Sequence, residues 1–194
     1  MGNRLYIYPC GYSVGNELTD YDILLESKVP FAHRMGLISD KLYEDLRISC
    51  QGNYWNSIHP DCLRNMEDYE NRPMVLFNSE SSRRDLHAQQ ISLIQHHLNL
   101  TLRGYRAFIY SGDHDMTAPY IGILEWIRRL NYTELESWRP CKGGNQCFLN
   151  CRYSVQYEHN LLFATFKSCC DYLTGAGHTA TEFTPRESLV AFQR

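Results

Sequence analysis

Two segments of the chain place acid–base residues directly after apolar runs. Residues 106–116 have the sequence RAFIYSGDHDM, in which an apolar run ends in a Gly-Asp turn that carries Asp113 and Asp115. Residues 161–166 (LLFATF) form a second apolar run, and His178 follows it between small residues. A carboxylate that holds an imidazole can make it a general base for a hydroxyl nucleophile. The order therefore predicts two members of a hydrolytic triad, with Asp115 as the acid and His178 as the base.

Each of these residues also has an ordinary structural explanation. An Asp after a strand is commonly a turn former or a helix cap, and a His near glycines is commonly a loop residue. The pairing of Asp115 with His178 favours catalysis, because both follow predicted strands at the edge where open parallel sheets place their sites. Asp113 is expected to bind loop amides and is the alternative candidate for the acid.

A serine near the start of the chain has the literal pattern of a nucleophile motif. Residues 11–15 (GYSVG) match Gly-x-Ser-x-Gly, and Ser13 precedes Asp115 and His178 in the order of a triad. A nucleophile elbow requires a sharp strand-to-helix turn with the helix beginning at once. Residues 16–20 (NELTD) start no helical periodicity. Ser13 is therefore predicted to be a structural strand residue, with the nucleophile role as the alternative.

Apolar runs and turn residues predict the elements that would position these side chains. Strands are predicted over residues 5–15, 104–110 and 161–166. Residues 16–34 and 50–73 are polar or rich in loop-forming residues and are predicted as loops. Because these strands alternate with helical segments, the chain is predicted to form a mostly parallel α/β sheet flanked by helices.

Helical spacing predicts two amphipathic helices. One begins after a capping Ser39, with Leu42, Leu46 and Ile48 near helical spacing, and the other covers residues 121–130. The apolar side of the second helix consists of Ile123, Trp126, Ile127 and Leu130. Residues 91–97 are an ambiguous apolar run, and residues 185–194 are predicted to begin a terminal helix.

Size and charge exclude several classes of protein. The chain has 194 residues and 43% hydrophobic residues, which is enough for one compact domain with a buried core. The net charge of −3 gives no electrostatic footprint for nucleic acid. No stretch approaches the ~18 apolar residues of a transmembrane helix, so no membrane partner is expected.

Cysteines and sequons point to an oxidising compartment. The chain has eight cysteines and two glycosylation sequons, at Asn99 and Asn131. Its first residues lack the basic-then-apolar pattern of a signal peptide. The combination is expected of a secretory protein without its leader, as a truncated chain would show. The cysteines lack the paired spacing of structural zinc sites, so neither a metal nor another cofactor is expected.

Several blocks of the sequence, in the same order and spread over nearly the whole chain, resemble the plant serine carboxypeptidase-like family. They are residues 11–16 (GYSVGN) with Thr19 and Asp20, 29–40 (VPFAHRMGLISD), 110–120 (YSGDHDMTAPY), 138–140 (WRP) and 175–180 (GAGHTA). The resemblance implies that residues 1–194 are a single partial domain, the C-terminal half of an α/β-hydrolase fold, with a shortened lid or linker region at 50–98.

The resemblance also implies roles for individual residues. His178 would take the proton of the nucleophilic serine, and Asp115 would orient the imidazole. Cys50 and Cys62 would form a disulfide, and the protein would belong to the secretory pathway, either extracellular or vacuolar. The family's nucleophile lies in a Gly-Glu-Ser-Tyr-x-Gly elbow, which these residues do not contain.

The implied activity is release of C-terminal amino acids from peptides by acyl transfer through a serine ester. The sequence GDHDM at 112–116 resembles the plant branch that includes sugar-ester-dependent acyltransferases, so an acyl-ester substrate is the alternative. Without the nucleophile the chain is expected to be inactive alone. A non-catalytic remnant is the competing hypothesis of a different class.

Overall fold

The computed structural model describes residues 11–72, 92–140 and 151–166 of the chain. His178, the predicted strand residues 5–10 and the predicted helix at 185–194 lie outside these ranges. The strands are β1 (Gly11–Gly15), β2 (Arg106–Gly112), β3 (Glu134–Pro140), β4 (Cys151–Tyr157) and β5 (Leu161–Phe166). The helices are α1 (Tyr21–Arg34), α2 (Asp40–Cys50), α3 (Pro60–Glu70), α4 (Ile94–Leu102) and α5 (Tyr120–Arg128).

The described strands form one mixed sheet in the order β1-β2-β5-β4-β3. The first three strands are parallel, with Ser13 opposite Phe108 and Ile109 opposite Phe163. β4 and β3 add to this parallel unit as antiparallel neighbours. Because β1, β2 and β5 are parallel, their carboxyl ends share one edge of the sheet, and the predicted α/β architecture is confirmed.

The buried side chains form two main apolar clusters. One lies between the sheet and α5, where Ile109 and Phe163 are fully buried and Trp126 is 2% exposed. The other lies among α1, α2 and α3 and includes Phe31 and Leu46. The sheet is thereby fixed to helices, which holds the loops at its carboxyl edge in place.

The predicted loop at 16–34 is wrong, because most of this segment is helix α1. Asp20 caps the helix by accepting the Ile23 N–H at 3.1 Å. Pro30 lies within the helix, where it cannot donate a backbone hydrogen bond. Burial of this helix on several sides offsets that loss, and it also removes the one-sided apolar stripe by which a helix is recognised.

The predicted loop at 50–73 is likewise wrong in its second half, which forms α3. His59 caps this helix and Pro60 occupies its first position. Residues 94–97 of the ambiguous run at 91–97 are the start of α4, and residue 91 lies outside the described ranges. The proposed lid or linker region at 50–98 remains a prediction.

The helix predicted after Ser39 is confirmed as α2, with the Ser39 hydroxyl accepting the Leu42 N–H at 3.3 Å. Leu42 and Leu46 are buried as expected, but Ile48 is 61% exposed. Cys50, four residues after Leu46, completes the buried side instead. In the described part of the chain, no helix has the length and apolar character needed to cross a bilayer.

Candidate active site

The loop between β2 and α5 places Asp115 at the carboxyl edge of the sheet. β2 ends at Gly112, and the next backbone N–H, that of Asp113, donates to the Phe166 carbonyl at 3.0 Å. This bond fixes the start of the loop to the last residue of β5. The acid loop therefore lies where β2 and β5 end together.

Asp115 is a buried carboxylate held by three donors from two parts of the fold. Its Oδ1 accepts the backbone N–H of Thr117 at 2.7 Å and that of Ala118 at 3.2 Å. Its Oδ2 accepts Nδ2 of Asn16 at 2.6 Å. The residue is only 1% exposed. Hydrogen bonds to an ionised group compensate its removal from water, so the site is built to keep a carboxylate oriented.

A buried lysine shares the electrostatic environment of Asp115. Lys28 of α1 is 6% exposed, and burial lowers the pKa of its ammonium group below the ordinary value. The negative charge of Asp115 acts in the opposite direction and partly restores that pKa. The two opposite charges therefore stabilise each other in the interior.

Asp113 is the second buried carboxylate of this turn. Its Oδ1 lies 2.7 Å from Nδ1 of the neighbouring His114. The backbone N–H groups of Thr117 and Ala118 donate to Asp115, and the binding of loop amides by Asp113 stays a prediction. The short turn thus gives two buried carboxylates separate partners.

Ser13 lies in the middle of β1, opposite Phe108, and its side chain is exposed. The next helix begins at Tyr21, so no helix follows the serine directly. A nucleophile elbow has a different geometry, with the serine at the tip of a strand-to-helix turn.

A second serine lies closer to Asp115. Ser111 is fully buried, and its hydroxyl is within 3.2 Å of the Gly112 carbonyl and 3.4 Å of the Ala118 carbonyl. Its oxygen has no exposed surface from which to attack a substrate.

A cavity of about 330 Å³ opens beside the acid loop. Its volume is at the low end of the range for small-molecule sites. The ring of Trp138 lies at its side, stacked on Tyr153 with centroids 5.3 Å apart. The lining residues are Phe31, Arg34, Met35, Asp113, His114, Tyr120, Trp138, Tyr153 and Thr165.

Sequence reasoning missed Asn16 as a site residue and missed the aromatic side chains that line this cavity. Asn16 is 99 positions from Asp115, and only the β1–β2 pairing brings the two together. Trp138 and Tyr153 lie on β3 and β4, two strands that were not predicted. Asn16 and Trp138 each lie in a block that resembles the family, at 11–16 (GYSVGN) and 138–140 (WRP), but neither block indicated a chemical role.

The predicted disulfide and glycosylation residues lie outside the acid loop. Cys50 and Cys62 form a disulfide that joins the end of α2 to α3, with their Cα atoms 4.9 Å apart. The side chains of Asn99, on α4, and Asn131 are exposed. Within residues 11–72, 92–140 and 151–166, no three His, Cys, Asp or Glu side chains are grouped to hold a metal ion.

The mostly parallel sheet flanked by helices, with a buried acid after strand β2, is the arrangement of an α/β-hydrolase-type fold. The sequence model of the serine carboxypeptidase family matches residues 6–90 and 76–194. The chain belongs to the serine carboxypeptidase family.

Individual relatives agree with this assignment. Serine carboxypeptidase-like 4 and serine carboxypeptidase-like 2 of Arabidopsis thaliana are 35% and 34% identical to the chain. Both alignments cover 95% of this chain and 50% of the relative. Serine carboxypeptidase-like 16 of the same plant is 31% identical over 100% of the chain and 54% of its own length. The chain thus spans about half the length of the curated relatives that it matches.

Proposed function

We propose that the chain carries the acid and the base of a serine carboxypeptidase triad, with Asp115 as the acid and His178 as the base. The observation that carries the proposal is the buried Asp115 carboxylate, held by three hydrogen bonds at the carboxyl edge of the parallel strands. A triad acid must hold its carboxylate in a fixed orientation. The hydrogen bonds that Asp115 accepts from its own loop and from Asn16 support that role.

In this mechanism the imidazole of His178 accepts the proton of a serine hydroxyl as the serine attacks the C-terminal peptide bond. The carboxylate of Asp115 binds the Nδ1–H and stabilises the imidazolium that forms. The imidazole then donates its proton to the leaving amino acid, and water hydrolyses the acyl-serine. We expect the serine to lie in the Gly-Glu-Ser-Tyr-x-Gly elbow of the family, a motif that these 194 residues do not contain.

The second candidate function is acyl transfer from an acyl ester to an alcohol. It uses the same acid and base, with the acceptor hydroxyl replacing water in the last step. The GDHDM sequence at 112–116 favours this branch. For either reaction we expect a protein of the secretory pathway, an expectation that the Cys50–Cys62 disulfide supports.

The proposal can be tested on the full chain by ¹⁵N NMR of its histidines, with the His178 signal assigned by His178→Gln. A bound carboxylate fixes a neutral imidazole as the Nδ1–H tautomer, so we expect His178 to adopt this form. Asp115→Asn should abolish that preference, whereas Asp113→Asn should preserve it. A tautomer equilibrium that Asp115→Asn leaves unchanged would reject the proposal. Loss of the preference in Asp113→Asn alone would move the acid to Asp113.

A further inference from the structure

Asn16 is the first residue after β1, and its side chain reaches the proposed acid across the β1–β2 pair. Its Nδ2 donates to Oδ2 of Asp115 at 2.6 Å and lies 3.4 Å from the Ser111 hydroxyl. Asn16 is 6% exposed, so this contact is removed from water on both sides. A buried hydrogen bond to a charged group contributes more to the free energy than an exposed neutral one.

The backbone of Asn16 is fixed as firmly as its side chain. Its N–H donates to the Tyr110 carbonyl at 2.8 Å, which continues the β1–β2 ladder by one residue. Its φ angle is 50°, in the left-handed region that asparagine adopts more readily than most residues other than glycine. The chain therefore turns sharply at Asn16 and directs a short amide at the acid.

The donors of Asp115 divide between its two oxygens. Thr117 and Ala118 bind Oδ1, and Asn16 binds Oδ2. Rotation of the carboxylate would weaken the hydrogen bonds to both of its oxygens. The loop after β2 and the residue after β1 therefore set the plane of the carboxylate together.

The neutral amide suits this position electrostatically. A triad acid stabilises an imidazolium through its negative charge. An amide donor orients the carboxylate without adding a positive charge, whereas an arginine in the same place would largely cancel the charge on the acid. An aspartate would place a second acceptor against Oδ2.

We infer that Asn16 is a positioning residue of the triad, fixing the orientation in which Asp115 binds the catalytic imidazole. This inference rests on the proposed function of Asp115. It adds to that function a residue that is 99 positions away in the sequence and acts through Asp115.

The test compares variants of the full chain by the same histidine NMR experiment. Asn16→Gly removes the side-chain amide, and glycine tolerates the positive φ at this position. The ratio of the Nδ1–H to the Nε2–H tautomer of His178 should then fall by about fivefold, toward the ratio of an imidazole that binds no carboxylate. Asn160→Gly is the matched control, since Asn160 also has a positive φ of 57° but is exposed. The control should leave the His178 tautomer unchanged.

Asn16→Asp supplies a readout that a purely structural role would not move. At neutral pH its carboxylate has nearly the shape of the native amide but should repel Asp115 and weaken the preference of the neutral imidazole for the Nδ1–H tautomer. Should Asn16→Gly fail to fold, the side-chain amide of native Asn16 offers a second measurement. One of its protons should exchange slowly with solvent and lose that protection in Asp115→Asn.

The outcomes separate the inference from the proposal beneath it. If Asp115→Asn alters the His178 tautomer and Asn16→Gly does not, the role of Asn16 is rejected and the triad stands. If Asp115→Asn has no effect, the proposed function fails and the inference fails with it. A rapidly exchanging Asn16 amide in the native chain would also overturn the inference.

Discussion

Gly122 of α5 lies so close to Ser27 of α1 that a Cβ on the glycine would stand 2.6 Å from the Ser27 hydroxyl. This contact brings the helix that follows the acid loop against the helix that carries Lys28. The Ser27 side chain is held in place by a hydrogen bond, in which its hydroxyl donates to the Leu24 carbonyl at 2.6 Å. The approach of the two helices therefore depends on the missing side chain at position 122.

Substitution of Gly122 by alanine should destabilise the protein despite the better helix propensity of alanine. The added methyl group overlaps a buried and hydrogen-bonded serine, and overpacking of this kind costs about 1–3 kcal/mol. Urea denaturation should show a lower midpoint. Adding Ser27→Gly to the variant removes the obstructing side chain and should recover part of the loss, so a non-additive double mutant is the expected result.

Loss of the Cys50–Cys62 disulfide should lower the stability of the helical layer. The bond closes a loop of 12 positions, and the loop-entropy model assigns about 3 kcal/mol to a loop of that size. In chemical denaturation, the free energy of unfolding of Cys50→Ala/Cys62→Ala should equal that of the wild-type protein measured in the presence of reductant. In the variant, amide hydrogen exchange should become faster in α2 and α3 than in the wild type, but not in β2. An equal increase in β2 would contradict the localisation of the effect to the helical layer.

Sequence alone predicted the parts of the fold whose apolar pattern is one-sided or continuous. The four apolar residues of the helix predicted at 121–130 are all buried, although α5 itself ends at Arg128 and Leu130 follows it. Strand β5 has the bounds predicted for it. Helix α1 was not predicted, because it packs on several sides and its sequence therefore has no one-sided apolar stripe. Its buried residues are Ile23, Leu24, Leu25, Ser27, Lys28, Val29, Phe31 and Ala32.

The site shows the same limit. Asp115 could be proposed from the strand and turn beside it, since a carboxylate after an apolar strand is a local signal. Asn16 could not, because its role depends on the register that aligns Gly15 with Tyr110. Contacts between distant segments are set by tertiary pairing, which a single sequence does not display.

Replacement of Glu26 by glutamine should make stability less sensitive to rising pH. Burial raises the pKa of the Glu26 carboxyl above its ordinary value, against the lowering effect of the Tyr54 and Trp55 backbone N–H groups. The folded protein then holds this proton more tightly than the unfolded chain. Between the unfolded and folded pKa values, stability therefore falls as pH rises.

Glu26→Gln keeps an oxygen acceptor for the Tyr54 N–H, which lies 2.8 Å from Oε2 in the native protein. Denaturation from pH 4 to pH 8 should show the wild type losing stability relative to the variant as pH rises through the folded pKa. Glu67→Gln, on the exposed side of α3, controls for the loss of one negative charge. A constant difference between Glu26→Gln and wild type over this range would contradict the expectation.

The purified 194-residue chain should remain unlabelled by a fluorophosphonate probe for active serine hydrolases. Such a probe needs an exposed serine that is activated by a base and placed beside an oxyanion hole. Ser13 is exposed but lies within β1, and Ser111 is buried with its hydroxyl against two carbonyl groups. Neither serine therefore has both accessibility and the geometry of an elbow.

Chymotrypsin in the same reaction is the positive control, and Ser13→Ala and Ser111→Ala are the matched variants. Equal, background labelling of the wild type and both variants is the expected result. Stoichiometric labelling that Ser13→Ala abolishes would make Ser13 the nucleophile and overturn the structural role assigned to it. In that case β1 would have to bring its centre to the Asp115 loop, a movement that breaks the pairing of Ser13 with Phe108. Because that ladder also positions Asn16 against Asp115, nucleophile and acid could not both be held by the arrangement seen here.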